Sequence, residues 1–229
     1  MCRTRADALT WRTDEVEQVV RAARRAPLYG GGHPWVLEPH GHSVSLYELP
    51  HHTIHDRLGV GRLLTCGAVL HNVHTALRAA GWRVEVTLPG DVDRPDLLAV
   101  LTAVEHSAPT PQEVLDHQAL TGPGMPGSPE LSVLIAADRW PGTRVRVVDS
   151  AAEPMVAALP AGSTGLLVST DGDSRKDVLC AGAALQAVRL RARALGVQTC
   201  GVRGPLHGLP GHRWALLGVR GLSGPNPEE

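Results

Sequence analysis

Phenylalanine is absent from this chain of 229 residues, and tyrosine occurs only twice. With aromatics at 3%, core volume has to come from Leu, Val, Ala and five Trp. Lysine is nearly missing too. Lys176 is the single one, and this Arg-for-Lys bias, with an excess of Ala, Val and Gly, suggests a GC-rich genome and carries no chemistry. Neither sign of charge is in excess. The formal net charge is −1 with 20% charged residues, so the basic footprint of a nucleic-acid binder is lacking. The four cysteines, Cys2, Cys66, Cys180 and Cys200, include no C-x-x-C pair. Nothing in that spacing suggests a disulfide framework or a zinc site, and a reducing cytoplasm is the natural reading. The opening MCRTRADALTWRTDE has no apolar stretch of signal-peptide type. No apolar run approaches the roughly 20 residues that span a bilayer, so a soluble cytoplasmic protein is expected.

The residues that are present alternate between helical and strand patterns. A first helix is expected to begin near Thr13, an N-cap residue type, with Asp14 and Glu15 favoured in its first turn by the helix dipole. Trp35 to Leu37 and Ser43 to Leu49 read as a hairpin turning at Gly41. From Arg62 to Ala80, Leu63, Cys66, Leu70, Val73, Leu77 and Ala80 recur at spacings of three and four, and Gly81 ends the helix. Arg83 to Leu88 and Leu97 to Val104 follow as strands. Thr110-Pro111-Gln112-Glu113 is a helix start with a capping box. The run TGPGMPGSP from Thr121 to Pro129 marks a linker. Beyond it Leu131 to Ala136, Val145 to Val148 and Gly165 to Ser169 read as strands. Ser174 and Asp177 open a second long helix that Gly196 stops, and Trp214 to Val219 reads as the last strand. The order predicts an α+β layer with helices flanking a mixed β-sheet.

Several residues invite chemistry and have plainer readings. His40, His42, His51, His52 and His55 cluster in sequence, with Asp56 as the one nearby carboxylate. Surface histidines of a polar loop are the reading preferred over a metal site. Gly30-Gly31-Gly32-His33 resembles an esterase oxyanion loop, but the chain has no G-x-S-x-G nucleophile elbow. Cys66, on an apolar helix face, reads as a buried structural thiol. The alternation Arg189, Arg191, Arg193 reads as a solvated helix face. Trp35 is either a stacking partner for a planar cofactor or a core anchor. No catalytic acid, base or nucleophile stands out.

Four stretches together resemble the nitroreductase superfamily, in particular its Acg-type branch, in which two nitroreductase-like halves are fused. They are AARRAPLYGGGHPW (Ala22 to Trp35), GRLLTCGAVLHN (Gly61 to Asn72), AGAALQAVRLRARALGVQTCGVRG (Ala181 to Gly204) and, more weakly, Glu105 to Leu115. The resemblance implies a nitroreductase-like fold with a first half over 1–120. A linker and abbreviated or lid-like middle would span 121–163, and the C-terminal helix, flavin loop and strand 164–229. It implies flavin mononucleotide (FMN) as cofactor, NAD(P)H as electron donor and a nitro or quinone-type small molecule as acceptor, with the chemistry carried by the cofactor. Transferred residue by residue, the cofactor set is Arg25, Gly31, His33, Trp35, Thr199, Cys200, Gly201, Arg203 and Gly204. A metal, nucleic acid or membrane partner is not implied. Two oligomeric states follow: a complete fused pair of halves would be a monomer, whereas a shortened chain would need a two-fold partner, as a homodimer, to complete its groove.

This sequence departs from the pattern in places that matter for the cofactor. Leu28, Gly31 and His33 stand where the family carries Ser, Asn and Gln, and the paired phosphate arginines near Glu105 to Pro109 are missing. Arg24, Arg25, Arg62, Arg203 and Arg220 are the candidate substitutes. Two functions follow: an FMN-binding protein that reduces such acceptors or sequesters flavin, or a descendant that kept the fold without flavin and acts as a binding or accessory module.

Overall fold

The computed structural model describes residues 11–29, 32–49, 56, 59–90, 93–122, 130–148, 154–203 and 212–220. The first helix, α1 (Thr13–Ala23), is followed by the hairpin β1 (Trp35–His40) and β2 (Ser43–Glu48), then the long helix α2 (Val60–Ala79). Strands β3 (Trp82–Thr87) and β4 (Leu97–His106) and helix α3 (Pro111–Thr121) complete the first part. The second part holds a single-turn helix α4 (Leu131–Ile135), β5 (Thr143–Val148), a short 3-10 turn (Pro154–Ala158) and β6 (Thr164–Thr170). The long helix α5 (Arg175–Ala194), β7 (Gln198–Arg203) and β8 (Arg213–Arg220) follow.

The α+β class stands, but the strands form two four-stranded antiparallel sheets, β1-β2-β4-β3 and β5-β6-β8-β7, rather than one mixed sheet. The reason is topological. In each part a hairpin feeds a long helix, and the strand after that helix returns to the far edge of the same sheet. The last strand then inserts between, so β2 and β3 share a direction but never touch. The chain is thus a duplicated ββαββ unit. The two long helices are of equal length, and Val60 and Arg175, Gly67 and Gly182, and Ala79 and Ala194 are equally far apart in sequence.

The helices α2 and α5 pack on one another, and each also packs on its own sheet. Their contact is reciprocal. A Cβ on Gly67 would lie 2.0 Å from the Leu179 carbonyl oxygen, and one on Gly182 would lie 2.3 Å from that of Leu64. Residue i meeting j while the equivalent of j meets the equivalent of i is the signature of a two-fold axis, here within one chain. Glycine at both positions lets the backbones touch. Leu64, Leu70, Leu179 and Leu185 around this crossing are fully buried, each contributing about 1.5–3 kcal/mol. Most of α2 is buried in the core; the half-buried stripe of His71, His74 and Arg78 is its exception.

Buried polar residues tie the parts together. The Asp56 carboxylate accepts the Gly61 and Arg62 backbone N–H groups at 3.0 and 2.9 Å and so caps α2. Arg62 Nε donates to Glu48 Oε1 at 3.0 Å, and Arg175 of α5 reaches the other Glu48 oxygen. Asn72 Nδ2 donates to the Ala22 carbonyl at 3.0 Å, and Gln186 Nε2 donates to Asn72 Oδ1 at 2.8 Å, linking α1, α2 and α5.

Three local expectations are corrected. Leu131 to Ala136 is helical where a strand was expected. Leu131, Leu134 and Ile135 follow a spacing of three and four and turn one face to the core, a pattern a six-residue apolar run hides. Thr199 to Arg203, expected as a loop, is an edge strand, because β8 offers it an unpaired side; an irregularity between Cys200 and Arg203 is what remains of the loop. Thr13 is the first helical residue, one place inside the expected cap, and the Arg12 N–H donates to Glu15 Oε2 at 2.9 Å. The capping boxes at Thr110 and Ser174 form as expected.

Candidate functional site

The duplication places two cavities at equivalent positions. The first, about 720 Å³, opens between the end of α1, the outer face of α5 and the start of β7. The second, about 650 Å³, lies between α2, α3 and the segment linking α4 to β5. Gln186, Arg189, Leu190 and Arg193 line the first; their equivalents His71, His74, Thr75 and Arg78 line the second. On a helix these positions, i, i+3, i+4 and i+7, form one stripe.

The first cavity is basic. Arg25, Arg189 and Arg193 face it, and no Asp or Glu is among its lining residues. Arg25 Nη1 donates to the Leu120 carbonyl at 2.5 Å, and Arg189 Nη1 donates to the Tyr29 hydroxyl at 3.0 Å. These bonds orient the guanidinium groups without neutralising them, and each keeps donors to spare. Burial pushes the Tyr29 hydroxyl up, while the Arg189 charge pulls it the other way. Pro27, Leu120, Leu190 and Val197 form an apolar wall.

Gln186 adds an unmet requirement. Its amide nitrogen is held by Asn72 Oδ1, which fixes the orientation because Asn72 uses its own amide nitrogen on the Ala22 carbonyl. The remaining oxygen, Oε1, is buried with no hydrogen-bond partner among the described residues. A buried acceptor left unpaired costs about 1–3 kcal/mol.

The expected cofactor residues distribute unevenly. Arg25 and Thr199 meet at the first cavity. Cys200, next along β7, takes the opposite face of the strand, where its sulfur lies 3.1 Å from Ser163 Oγ. Trp35 packs against the core with its indole N–H buried and unpartnered, edge-on to His33 with ring centroids 6.2 Å apart. Of Gly201 and Arg203 the backbone runs in β7, and Gly31 and Gly204 lie outside the described residues. Among the candidate phosphate arginines, Arg62 is buried against Glu48, and Arg220 donates to Ser163 Oγ and the Ala161 carbonyl. Arg24 is exposed on the surface groove along α1.

Sequence reasoning missed Gln186, Arg189 and Arg193. The arginine alternation was read as a solvated face, whereas Arg189 and Arg193 border the cavity and Arg191 points elsewhere, bonded to both Asp116 oxygens at 3.0 Å. A helical projection would have separated Arg189 and Arg193 from Arg191, though not shown that a cavity lay beside them.

The remaining singled-out residues have structural roles. Cys66 is buried, its thiol donates to the Pro34 carbonyl at 3.4 Å, and burial pushes its pKa up. His40 is exposed beside Glu38, and His42 is stacked on Trp11; His51, His52 and His55 lie outside the described residues. Among the described residues no group of three or more His, Cys, Asp or Glu could hold a metal ion. No described helix is long and apolar enough to cross a membrane. No protein-family model matches this sequence, and no curated protein matches it.

Proposed function

We propose that the first cavity binds FMN and that the chain is a nitroreductase-like protein, which either reduces nitro or quinone-type compounds with NAD(P)H or sequesters the flavin. The observation that carries this reading is the set of three guanidinium groups, Arg25, Arg189 and Arg193, at one cavity and without a carboxylate partner among the described residues. A phosphate dianion requires fixed positive charge, and arginine presents it in a fork that matches phosphate oxygens. The apolar wall of Pro27, Leu120, Leu190 and Val197 suits a planar ring. A volume of about 720 Å³ falls within the roughly 300–1,000 Å³ typical of small-molecule sites.

The residues therefore fit the group. Arg25, Arg189 and Arg193 would hold the phosphate end, and Thr199 and Gln198 would border the remainder. Bound flavin supplies the hydride-transfer chemistry, which needs no acid or base from the chain. The protein's part is to orient the ring, exclude water from its apolar side and keep negative charge away from the phosphate.

Purified protein incubated with excess FMN and freed of unbound flavin should keep an oxidised-flavin absorption spectrum, with about one flavin per chain. A colourless product would sink this reading. It would favour the flavin-free binding module, for which the scattering of the expected cofactor residues already speaks.

A further inference from the structure

We propose that the second cavity is a separate small-molecule site for an uncharged aromatic ligand with hydrogen-bonding capacity, of the N-heteroaromatic class. Its duplicated position gives the shape, and its side chains exclude the ligand of the first cavity. Arg78 occupies the place of Arg193, but its Nε and Nη2 are bonded to the two Glu113 oxygens at 2.7 and 3.0 Å, and its Nη1 to the Trp82 carbonyl. Arg191 is likewise engaged by Asp116. Both carboxylates and both guanidinium groups are spent on each other, which leaves exposed Arg139 as the one charge at the rim without an ion pair among the described residues. Neither an anion nor a cation finds an uncompensated opposite charge inside.

What the walls offer is neutral hydrogen bonding and an aromatic face. Trp140 Nε1 donates to His71 Nδ1 at 3.3 Å, which puts the His71 proton on Nε2. His74, one turn along α2, meets the Trp140 ring edge-on at 6.3 Å and makes no hydrogen bond among the described residues. Burial holds both imidazoles neutral, His71 down at about 3 and His74 at about 4, with Arg191 and Arg78 adding to the effect. A neutral imidazole carries one donor and one acceptor nitrogen. His74 therefore has both to offer a ligand that donates and accepts in the plane of its ring. Val86, Ala137 and Pro141 supply apolar surface around it. This site stands independently of flavin binding.

The test uses three probes of similar size, neutral indazole, anionic benzoate and cationic benzamidine, titrated into the whole protein at neutral pH and followed by saturation-transfer NMR. Indazole is expected to bind best, with saturable shifts of the His74 ring and Trp140 indole resonances. His74→Leu should weaken it about tenfold or more, whereas Arg189→Ala should leave it unchanged. The shifts in the unmutated protein keep the test valid should the variant misfold. Benzoate or benzamidine binding as tightly as indazole would overturn the proposal. So would an indazole affinity indifferent to His74→Leu in a folded variant, or no indazole binding up to its solubility limit. An FMN titration of the same variants reads the first cavity separately.

Discussion

The two ββαββ halves fold alike and have diverged where their helices face a cavity. At equivalent positions the first cavity carries Gln186, Arg189 and Arg193 and the second carries His71, His74 and Arg78. Arg25, Arg189 and Arg193 at the first cavity have no carboxylate partner among the described residues, while α3 supplies Glu113 and Asp116 to quench Arg78 and Arg191 at the second. Helix α3 follows β4 in the first half, and the described chain ends at β8 and residue 220. Duplication set the shape of both cavities, and the carboxylates of α3 quench the arginines at the second. Backbone topology was copied, whereas charge was set by what packed beside each copy.

The comparison breaks most severely at the axis itself. Gly182→Ala drives a methyl into the Leu64 backbone, which cannot yield as a flexible side chain would. A loss of about 3 kcal/mol or more is expected in urea denaturation, and Gly67→Ala should match it because the contact is reciprocal. A mild effect at either position would mean that the helices do not cross so closely.

Acid sharpens the contrast between the two helix stripes. His71 faces His74 and Arg191, and His74 faces Arg78 and Glu113. In the unfolded chain both imidazoles protonate near pH 6.5, but in the fold only near 3 and 4. Between those limits the unfolded state binds protons that the native state does not, so stability falls as pH is lowered from 6.5. At pH 5 the loss is about 2 kcal/mol for each group, at 1.4 kcal/mol per unit. Glu113, held down at about 2 chiefly by Arg78, adds its own loss below its unfolded value of 4.5. His71→Asn should flatten the curve above pH 5, and a flat curve in the unmutated chain would rule out buried neutral imidazoles.

A smaller effect separates the cavities by charge. Arg189→Ala and Arg193→Ala are each expected to weaken FMN about tenfold, roughly 1.4 kcal/mol, read by fluorescence quenching of the flavin. The equivalent change on the other helix, His74→Leu, should leave FMN affinity unaltered. Equal losses from both helices would dissolve the distinction. The smallest difference lies at the caps. Ser174 accepts the Asp177 N–H at 3.2 Å at the start of α5, and Ser174→Ala should cost about 1 kcal/mol. Asp56→Ala should cost more, because that carboxylate accepts two buried N–H groups and neighbours Arg62.

Much of the element order was legible beforehand because each signal was local. The apolar stripe of α2, the stop at Gly81, the boxes at Thr110 and Ser174 and the turn at Gly41 depend on neighbours within a few residues. The candidate site was legible in part. Arg25 and Thr199 were singled out through a family resemblance and share a cavity, yet Arg189 and Arg193 were taken for surface and Gln186 was not noticed. A glutamine inside an apolar helix carries no local mark of an unpaired oxygen. That property exists only once Asn72, from a different helix, has claimed the amide nitrogen.

By itself the sequence determined the helix and strand periods, the caps and the α+β class, since these follow from spacing and from the backbone preferences of single residues. Tertiary structure alone decided that the strands divide into two sheets, that Gly67 and Gly182 meet on a two-fold axis and that Arg78 and Arg191 are quenched while Arg189 and Arg193 are not. Each of these depends on contacts between residues far apart in the chain, and electrostatic balance and steric fit are fixed only when such residues are brought together.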